Sequence, residues 1–287
     1  MVVKPLKLVS ESVTSYLDLV FALSKAPDAL RCYRGQADVA WSVKPSVMRA
    51  LKHDAEHRMF SELVLEAPND FVGESTMFSK LVKAQHYNLP TRLLDVSLNP
   101  LVALYFACMD DRYMSADGSV QIFDFLEERI KFADSDAVSL ICNLARLSDR
   151  EKEGISDAFK ACKNWDLVAK KRFRRLAPML RLSQFVRMEK PYFQDIAEPR
   201  DLFKYFFVYP AKNNRRLIAQ SGAFIAAGLL RYKDPSRSVG IIMKKIRVPK
   251  KRKPGILREL DAININSRTM FPEIDSASVY IRKKWAR

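Results

Sequence analysis

The chain has 287 residues, 48% of them hydrophobic, which is enough for a real core in one large domain or two small ones. It carries 49 lysines and arginines against 33 aspartates and glutamates, a formal net charge of +16. This imbalance favours a polyanionic partner, most commonly nucleic acid, and the alternative is a basic surface that only aids solubility. No run of eighteen apolar residues occurs, so neither a membrane span nor a membrane partner is predicted.

The N-terminus and the cysteines predict a cytoplasmic protein. The segment MVVKPLKLVSESV lacks the apolar region and cleavage site of a signal peptide. The cysteines are widely separated and form no Cys-x-x-Cys pair, which predicts reduced thiols at Cys32, Cys108, Cys142 and Cys162. His53 and His57 share a helix face but lack the HExxH order and a third ligand nearby, so no metal site is predicted.

In the first seventy residues, the sequence predicts two helices with a short strand between them. An apolar stripe predicts an opening helix that begins at Ser10, its candidate cap, and is ended by Pro27. Residues 30–33 then predict a strand that delivers Arg34 at its end. Gly35 follows, where the chain must turn or let a ligand come close. A second amphipathic helix is predicted over about 51–67.

The central stretch, residues 80–109, concentrates polar and turn residues between two apolar blocks. A short helix is predicted to stop before Pro90, because the residue before a proline is disfavoured in the helical conformation. Residues 93–97 predict a buried strand, and Asn99 and Pro100 suit the cap and first turn of the next helix. Such a strand-to-helix junction exposes backbone N–H groups at one rim, where an anionic ligand could bind.

The second half predicts alternating helical and strand regions. Residues 119–125 alternate as a strand, and residues 127–182 are mostly helical in pattern. Further strands are predicted over 202–209, on both sides of a glycine turn within 213–224, and over 239–248. Two more helices are predicted near the C-terminus.

Two motifs in the first half resemble the FRG-domain family. The family is named for an aromatic-Arg-Gly triplet, present here as Tyr33-Arg34-Gly35. Its second signature is similar to the run AQHYNLPTRLLD from Ala84 to Asp95, after which the Asn-Pro pair and the VALYFA helix follow in the expected place. The resemblance covers roughly residues 30–110.

The same segments also resemble the ADP-ribosyltransferases of the Arg-Ser-Glu type. Tyr33-Arg34-Gly35 matches the end of their first core strand, and Asp95-Val96-Ser97 takes the place of their Ser-Thr-Ser motif. Their catalytic glutamate precedes a Gly-x-Phe segment, and here Gln220 fills that position before Gly222 and Phe224. A glutamine can hydrogen-bond a ribose hydroxyl but cannot take a proton. Three alternatives follow. Another carboxylate, Asp95 or Glu273, replaces the catalytic glutamate, or the acceptor is activated on its own. In the third alternative the pocket binds a nucleotide without cleaving it.

The resemblance implies a fold and a substrate. The fold is an α+β, ADP-ribosyltransferase-like domain with a split, mixed or antiparallel sheet, formed by residues 1–287 with a helical insertion at about 127–200. The substrate is NAD, with Arg34, Asp95, Ser97 and Gln220 as catalytic candidates within one cleft. The candidate NAD-binding residues are Tyr33, Arg34, Gly35, Gln85, His86, Thr91 and Arg92.

Several of these residues have simpler explanations. Arg34 at a strand end could fork onto a phosphate, or it could form a structural ion pair with Asp95. Asp95 could cap the turn at Asn99 instead of facing a site, and His86 could be a packing residue rather than a base.

Two basic runs are candidates for contact with nucleic acid, although such runs are more commonly solvated surface. Their members are Lys170, Lys171, Arg172, Arg174, Arg175, Lys250, Lys251, Arg252 and Lys253. The sequence hypothesis is therefore an enzyme that transfers ADP-ribose from NAD to nucleic acid, RNA more than DNA, in a bacterial toxin or phage-defence setting, with an inhibitory antitoxin protein as a further partner. The alternative is a non-enzymatic nucleic-acid-binding module. A nuclease is disfavoured because no carboxylate cluster with a lysine suggests a metal site.

Overall fold

The computed structural model describes residues 8–49, 51–194, 197–212, 214–229, 235 and 238–285. They form a mixed α+β structure around one seven-stranded sheet with the order β4-β5-β6-β2-β1-β3-β7. All neighbouring strands are antiparallel except the β4–β5 pair. The strands are β1 (Leu30–Gln36), β2 (Leu93–Ser97), β3 (Gly118–Phe125), β4 (Ile130–Phe132), β5 (Tyr205–Tyr209), β6 (Gly222–Ala227) and β7 (Ile241–Val248).

The helices surround this sheet. They are α1 (Val13–Ala22), α2 (Ala55–Glu66), α3 (Pro68–Phe71), α4 (Met77–His86), α5 (Pro100–Cys108), α6 (Asp136–Asn143), α7 (Asp149–Ala161), α8 (Leu167–Arg174), α9 (Ala177–Glu189), α10 (Arg215–Ala219), α11 (Lys253–Ala262), α12 (Ser267–Met270) and α13 (Ile274–Trp285). Short 3₁₀ turns include Leu144–Arg146 and Lys250–Arg252. Among the residues that the structure describes, no helix combines the length and apolar character needed to cross a membrane.

Two groups of helices share one face of the sheet. Helices α1, α5 and α11 pack over β1, β3 and β7, while α2, α4 and α6 pack over β2, β5 and β6. The opposite face carries a separate aromatic and aliphatic cluster that includes Phe123, Phe125 and Phe207. The helices from α7 to α9 form a fourth cluster around Met179 and Leu182. The two groups on the shared face leave a boundary between α4 and α5, where the candidate site lies.

Local sequence signals account for the elements around that boundary. Asn99 caps α5 by accepting a hydrogen bond from the Leu101 N–H at 2.9 Å, with Pro100 at the first helical position. Helix α4 ends in a Schellman motif, in which the Leu89 N–H bonds to the Ala84 carbonyl at 3.0 Å. Asn88 takes the left-handed position of that motif, with φ of 65°. The turn predicted around Asn88 and Pro90 is confirmed.

Three element predictions need correction. The opening helix is shorter than predicted, because Ser12, and not Ser10, forms the capping box with Ser15. The first strand predicted within 213–224 is instead helix α10, capped by the Asn214 side chain. The predicted helical region after residue 127 also contains the short strand β4, which pairs with β5. Residues 1–7, 195–196 and 213, which enter the predictions above, lie outside the described residues.

Candidate functional site

A gap between β1 and β2 opens the sheet at its centre. The two strands pair only at Tyr33 and Ser97, although β1 is fully paired with β3 and β2 with β6 along their other edges. Side chains alternate along a strand, so Asp95 and Ser97 face the helices on the same side as Tyr33. A cleft of about 360 Å³ occupies this gap.

The cleft brings together residues that are far apart in the sequence. All four catalytic candidates line it, namely Arg34, Asp95, Ser97 and Gln220. Of the candidate NAD-binding residues, Tyr33, Gly35, Gln85 and His86 also line it, whereas Thr91 and Arg92 do not. The expectation of one shared cleft for the four catalytic candidates is met by this geometry.

Arg34 bridges the gap between the strands. Its Nη1 donates to the backbone carbonyl of Asp95 at 2.6 Å, and no salt bridge joins it to a carboxylate within the described residues. Its Nε is buried and has no hydrogen-bond partner. Burial lowers the pKa of Arg34, and the nearby Asp95 carboxylate opposes that shift. An arginine with an unused donor in this setting is suited to receive an anionic group.

Asp95 presents its carboxylate at the mouth of the cleft. The residue is exposed, and its Oδ2 accepts a hydrogen bond from the Gln85 Nε2 at 2.7 Å. The Gln85 Oε1 in turn accepts from the Thr91 hydroxyl. Thr91 therefore lies outside the cleft lining and orients Gln85, and Gln85 in turn holds the Asp95 carboxylate in one rotamer. The alternative that Asp95 caps the turn at Asn99 is not seen, because the Asn99 N–H donates to Ser97 instead.

Ser97 and Gln220 hold the floor of the cleft together. The Ser97 hydroxyl donates to the Gln220 backbone carbonyl at 2.7 Å and accepts from the Asn99 N–H at 2.9 Å. The Gln220 Nε2 donates to the Met270 carbonyl at 2.9 Å, which ties this residue to α12. Gln220 ends helix α10 and precedes β6 instead of lying on a strand. Both polar side chains thus make structural bonds in this state.

Gly35 is required by a helix rather than by a ligand. A Cβ atom at this position would lie 1.9 Å from the Ala103 carbonyl oxygen and 2.7 Å from the Ala107 nitrogen. Helix α5 therefore sits directly on β1 at the glycine of the triplet. This close approach sets the wall of the cleft formed by Ala103 and Phe106.

Two further arginines line the cleft, and sequence reasoning did not identify them. Arg49 is exposed on the loop before α2, and Arg216 packs over the Phe271 ring at 4.8 Å. Among the described lining residues Asp95 is the one carboxylate, so the cleft has a positive balance. Arg216 and Gln220 are four residues apart, a spacing that places them on one face of α10, so a helical interpretation of this segment would have found Arg216.

The cleft continues into a second groove along α4. This groove has a volume of about 480 Å³ and shares Val82, His86, Asn214 and Leu217 with the cleft. His86 makes an edge contact with the Tyr87 ring, whose centroid lies 5.2 Å away. His86 thus lies where the two spaces meet.

Arg92 stabilises the fold and does not line the cleft. Its Nε donates to Glu56 at 2.8 Å, and Lys152 donates to the same carboxylate at 2.8 Å. Arg92 also donates to the Ala227 carbonyl at 3.0 Å. Burial would raise the pKa of Glu56, but the charges of Arg92 and Lys152 and their hydrogen bonds lower it to about 2. The expected role of Arg92 in nucleotide binding is corrected, because its donors are used in this buried ion cluster.

The basic runs divide into surface and buried members. Lys171, Arg172 and Arg175 are exposed near the end of α8, while Lys170 forms a salt bridge with Glu198 and Arg174 donates to the Ala197 carbonyl. In the second run, Lys250, Lys251 and Arg252 are exposed.

Lys253 does not belong to this surface. It is fully buried, and its Nζ donates to the Ala37 and Tyr113 carbonyls at 2.7 and 2.8 Å. Burial lowers the pKa of Lys253. The expectation that Lys253 contacts phosphates is corrected for this reason.

The FRG domain model matches residues 30–115. This segment contains both strands that border the gap, and also Arg34, Gln85, Asp95 and Ser97. The match supports the FRG family for this part of the chain. Searches of curated proteins and of solved structures gave no significant match.

Proposed function

We propose, from the FRG assignment of residues 30–115 and the cleft that this segment borders, that the protein transfers ADP-ribose from NAD to a nucleic acid, with RNA favoured over DNA. In this proposal it is a toxin or effector of a bacterial toxin–antitoxin or phage-defence system with an ADP-ribosyltransferase-like core. An inhibitory antitoxin protein is the further partner that such a setting implies. The observation that carries the proposal is the unused Nε donor of Arg34 in a cleft lined by three arginines.

The cleft and the adjoining groove suit the two halves of a dinucleotide. Arg34 and Arg216 offer forked donors to the pyrophosphate, which guanidinium groups recognise in a bidentate manner. The groove along α4 adds length beyond the gap, where His86 marks the junction. The three arginines of the cleft suit the anionic substrate, and the Asp95 carboxylate suits the positive charge that develops at one carbon during transfer.

Asp95 is the residue assigned to that reacting carbon. Transfer breaks the bond between nicotinamide and the ribose, forms a bond from the ribose to the acceptor, and releases a proton from the acceptor. A carboxylate stabilises the oxocarbenium-like charge and takes that proton, which the Gln220 amide cannot do. Glu273, the other carboxylate considered, is exposed after α12 and is not among the lining residues.

The test is incubation of the protein with NAD labelled in the ADP-ribose part, together with total RNA, DNA and protein as separate acceptors. We expect label in the RNA fraction, and we expect the Asp95→Asn variant to transfer at least a hundredfold less label. The matched control Asp18→Asn removes an exposed carboxylate on α1 and should transfer label normally. Absence of label from every fraction, or full transfer by Asp95→Asn, would contradict the proposal.

The second candidate function is a nucleic-acid-binding module without catalysis. Its supporting observation is that the Ser97 hydroxyl and the Gln220 amide are both used in backbone-directed hydrogen bonds. The two functions differ in what an Asp95→Asn protein does in cells. Retained RNA binding with loss of the cellular effect supports the enzyme, and retention of both supports the module.

A further inference from the structure

A groove on the far side of α4 from the cleft has the features of a binding site. It lies between α2 and α9, is closed at its base by α4 and α6, and has a volume of about 520 Å³. We call it the α2–α9 groove. Its floor is apolar and is formed by Phe60, Val64, Met77 and Phe185. On its rims, Leu65 and Met188 are 79% and 74% exposed, which leaves large apolar side chains in contact with water.

The rim of this groove is strongly basic. His57, Lys80, Arg146 and Arg181 line it, and Glu189 is the one carboxylate among the described lining residues. Glu189 accepts hydrogen bonds from the Met77 N–H and the Asn143 amide, and burial raises its pKa. Glu189 also attracts Arg146 and Lys80, and Arg181 forms a salt bridge with Glu151 at 2.9 Å. Within the described residues Arg146 and Lys80 form no salt bridge, so these two cations carry the positive charge that the rim offers to a partner.

Arg146 is positioned to bind an anion, because Glu189 attracts it without forming a salt bridge with it among the described residues. Its guanidinium carbon lies 3.9 Å from the centre of the Phe185 ring, which orients the group. Its hydrogen bonds go to the Met188 sulfur at 3.7 Å, a weak acceptor, and no salt bridge involves it within the described residues. Burial lowers the pKa of Arg146. Asn143, fully buried at the base of the groove, also has an Oδ1 without a partner.

The chemistry of the groove selects a peptide over a nucleic acid. Bases are held mainly by stacking on free aromatic faces. Here Arg146 covers the Phe185 ring, with Arg181 also near it at 5.4 Å, and Phe60 is buried. Aliphatic side chains between two helices instead match the helix-in-groove mode, in which an amphipathic helix inserts its apolar face. The strongly basic chain disfavours a second copy of itself as the occupant.

We propose that the α2–α9 groove binds an acidic amphipathic helix of a partner protein. The apolar residues of that helix contact Phe60, Val64 and Leu65, and its carboxylates pair with Arg146 and Lys80. The lining residues span positions 57–65 of α2 and 181–189 of α9, about 12 Å along each helix, which corresponds to roughly eight residues of bound helix. This site is separate from the proposed NAD cleft, and its test does not depend on catalysis.

The test uses a fluorescent twelve-residue peptide with leucines on one helical face and glutamates on the other. Its comparison ligands are a scrambled peptide of the same composition and an oligouridine of equal charge, all measured by anisotropy at 150 mM salt with the full chain. We expect the amphipathic peptide to bind at least tenfold more tightly than the scrambled one. Arg146→Met should weaken its binding about ten- to hundredfold, because a charge-assisted hydrogen bond is lost.

Two further variants separate the site from general charge and from folding. Leu65→Ser changes an exposed rim residue without changing charge and should also weaken peptide binding. Arg150→Glu alters an exposed residue of α7 outside the groove lining and should bind normally. The proposal would be overturned if both peptides bound equally or if no peptide bound at 1 mM. It would also be overturned if the oligouridine bound more tightly than the peptide and only its binding responded to Arg146→Met.

Discussion

At the scale of single residues, one glycine fixes how close helix and sheet can come at the cleft. Gly35 is the third residue of the Tyr-Arg-Gly triplet, and its missing side chain lets α5 lie directly against β1. The sequence alone allowed a turn or a ligand contact at this glycine. It could not show the helix, because the contact joins residues that are about seventy positions apart.

Gly35→Ala should destabilise the fold by about 3 kcal/mol or more, because the added Cβ would lie 1.9 Å from a backbone oxygen that cannot move without displacing α5. The measurement is the free energy of unfolding from denaturant titration. Gly154→Ala is the matched control, since no atom lies within 4 Å of the added Cβ on exposed α7. There alanine should stabilise by about 0.5–1 kcal/mol. Equal effects of the two changes would argue against the helix-contact explanation.

The positions of single side chains could be predicted from the sequence only in part. The four catalytic candidates line one cleft, in which Arg34 lies within β1, Asp95 and Ser97 lie on β2, and Gln220 ends α10 just before β6. Lys253 was grouped with three surface cations because it follows them directly in sequence. Only the fold shows that the first residue of α11 turns inward to the Ala37 and Tyr113 carbonyls.

At the scale of elements, a buried ion cluster fastens β2 to two distant helices. Arg92 comes directly before β2, Glu56 lies on α2 and Lys152 on α7, so the cluster joins the segment matched by the FRG domain model to a later helix. The arginine lies within the run AQHYNLPTRLLD, and its buried position gives this run a structural role beside any role in binding. The sequence offered no signal for the pairing, because the three residues span almost a hundred positions.

Glu56→Gln should destabilise the fold by about 3 kcal/mol at pH 7, because it leaves two buried cations without their anion. The folded-state pKa of Glu56 is about 2, below its ordinary value of 4.5. Its ionic stabilisation is therefore complete above about pH 5 and is lost as the pH falls through 4.5 towards 2. Unfolding measured at pH 7, 5 and 3 should show the difference from wild type shrinking at the lowest pH. The control Glu62→Gln, exposed on the same helix, should show no such trend, and a pH-independent difference would contradict the assignment.

Helix α10 shows why element prediction failed in one place. Its five residues contain adjacent leucine and isoleucine, a pattern too short to distinguish helix from strand. The cap by Asn214 and the contact with α12 decide the outcome. By contrast, α4, β2 and α5 were predicted closely, because capping residues, an Asn-Pro pair and a Schellman turn act within a few residues of one another.

At the scale of the whole molecule, the net charge of +16 should govern binding to nucleic acid. Each phosphate contact by Lys171, Arg172 or Arg175 releases counterions, so affinity should fall steeply as salt rises. Replacing any one of these exposed residues by alanine should reduce the slope of log affinity against log salt by about one unit. Filter binding of RNA between 50 and 300 mM salt measures this slope. Lys253→Met should leave the slope unchanged, because the Lys253 ammonium is buried. If the affinity of the wild-type protein did not depend on salt, the basic runs would be solvated surface without phosphate contacts.

The central claim is that NAD binds in the gap between β1 and β2 and that Arg34 contacts its pyrophosphate. The most direct measurement is the calorimetric affinity of the full chain for NAD, compared with that of Arg34→Met, which keeps the volume of the side chain and removes its donors. The account predicts binding by wild type and a loss of about ten- to hundredfold in the variant, as expected for one charge-assisted contact. Circular dichroism should show that the variant, which also loses the hydrogen bond to the Asp95 carbonyl, remains folded. Equal NAD affinity of the two proteins, or no NAD binding by wild type, would contradict it.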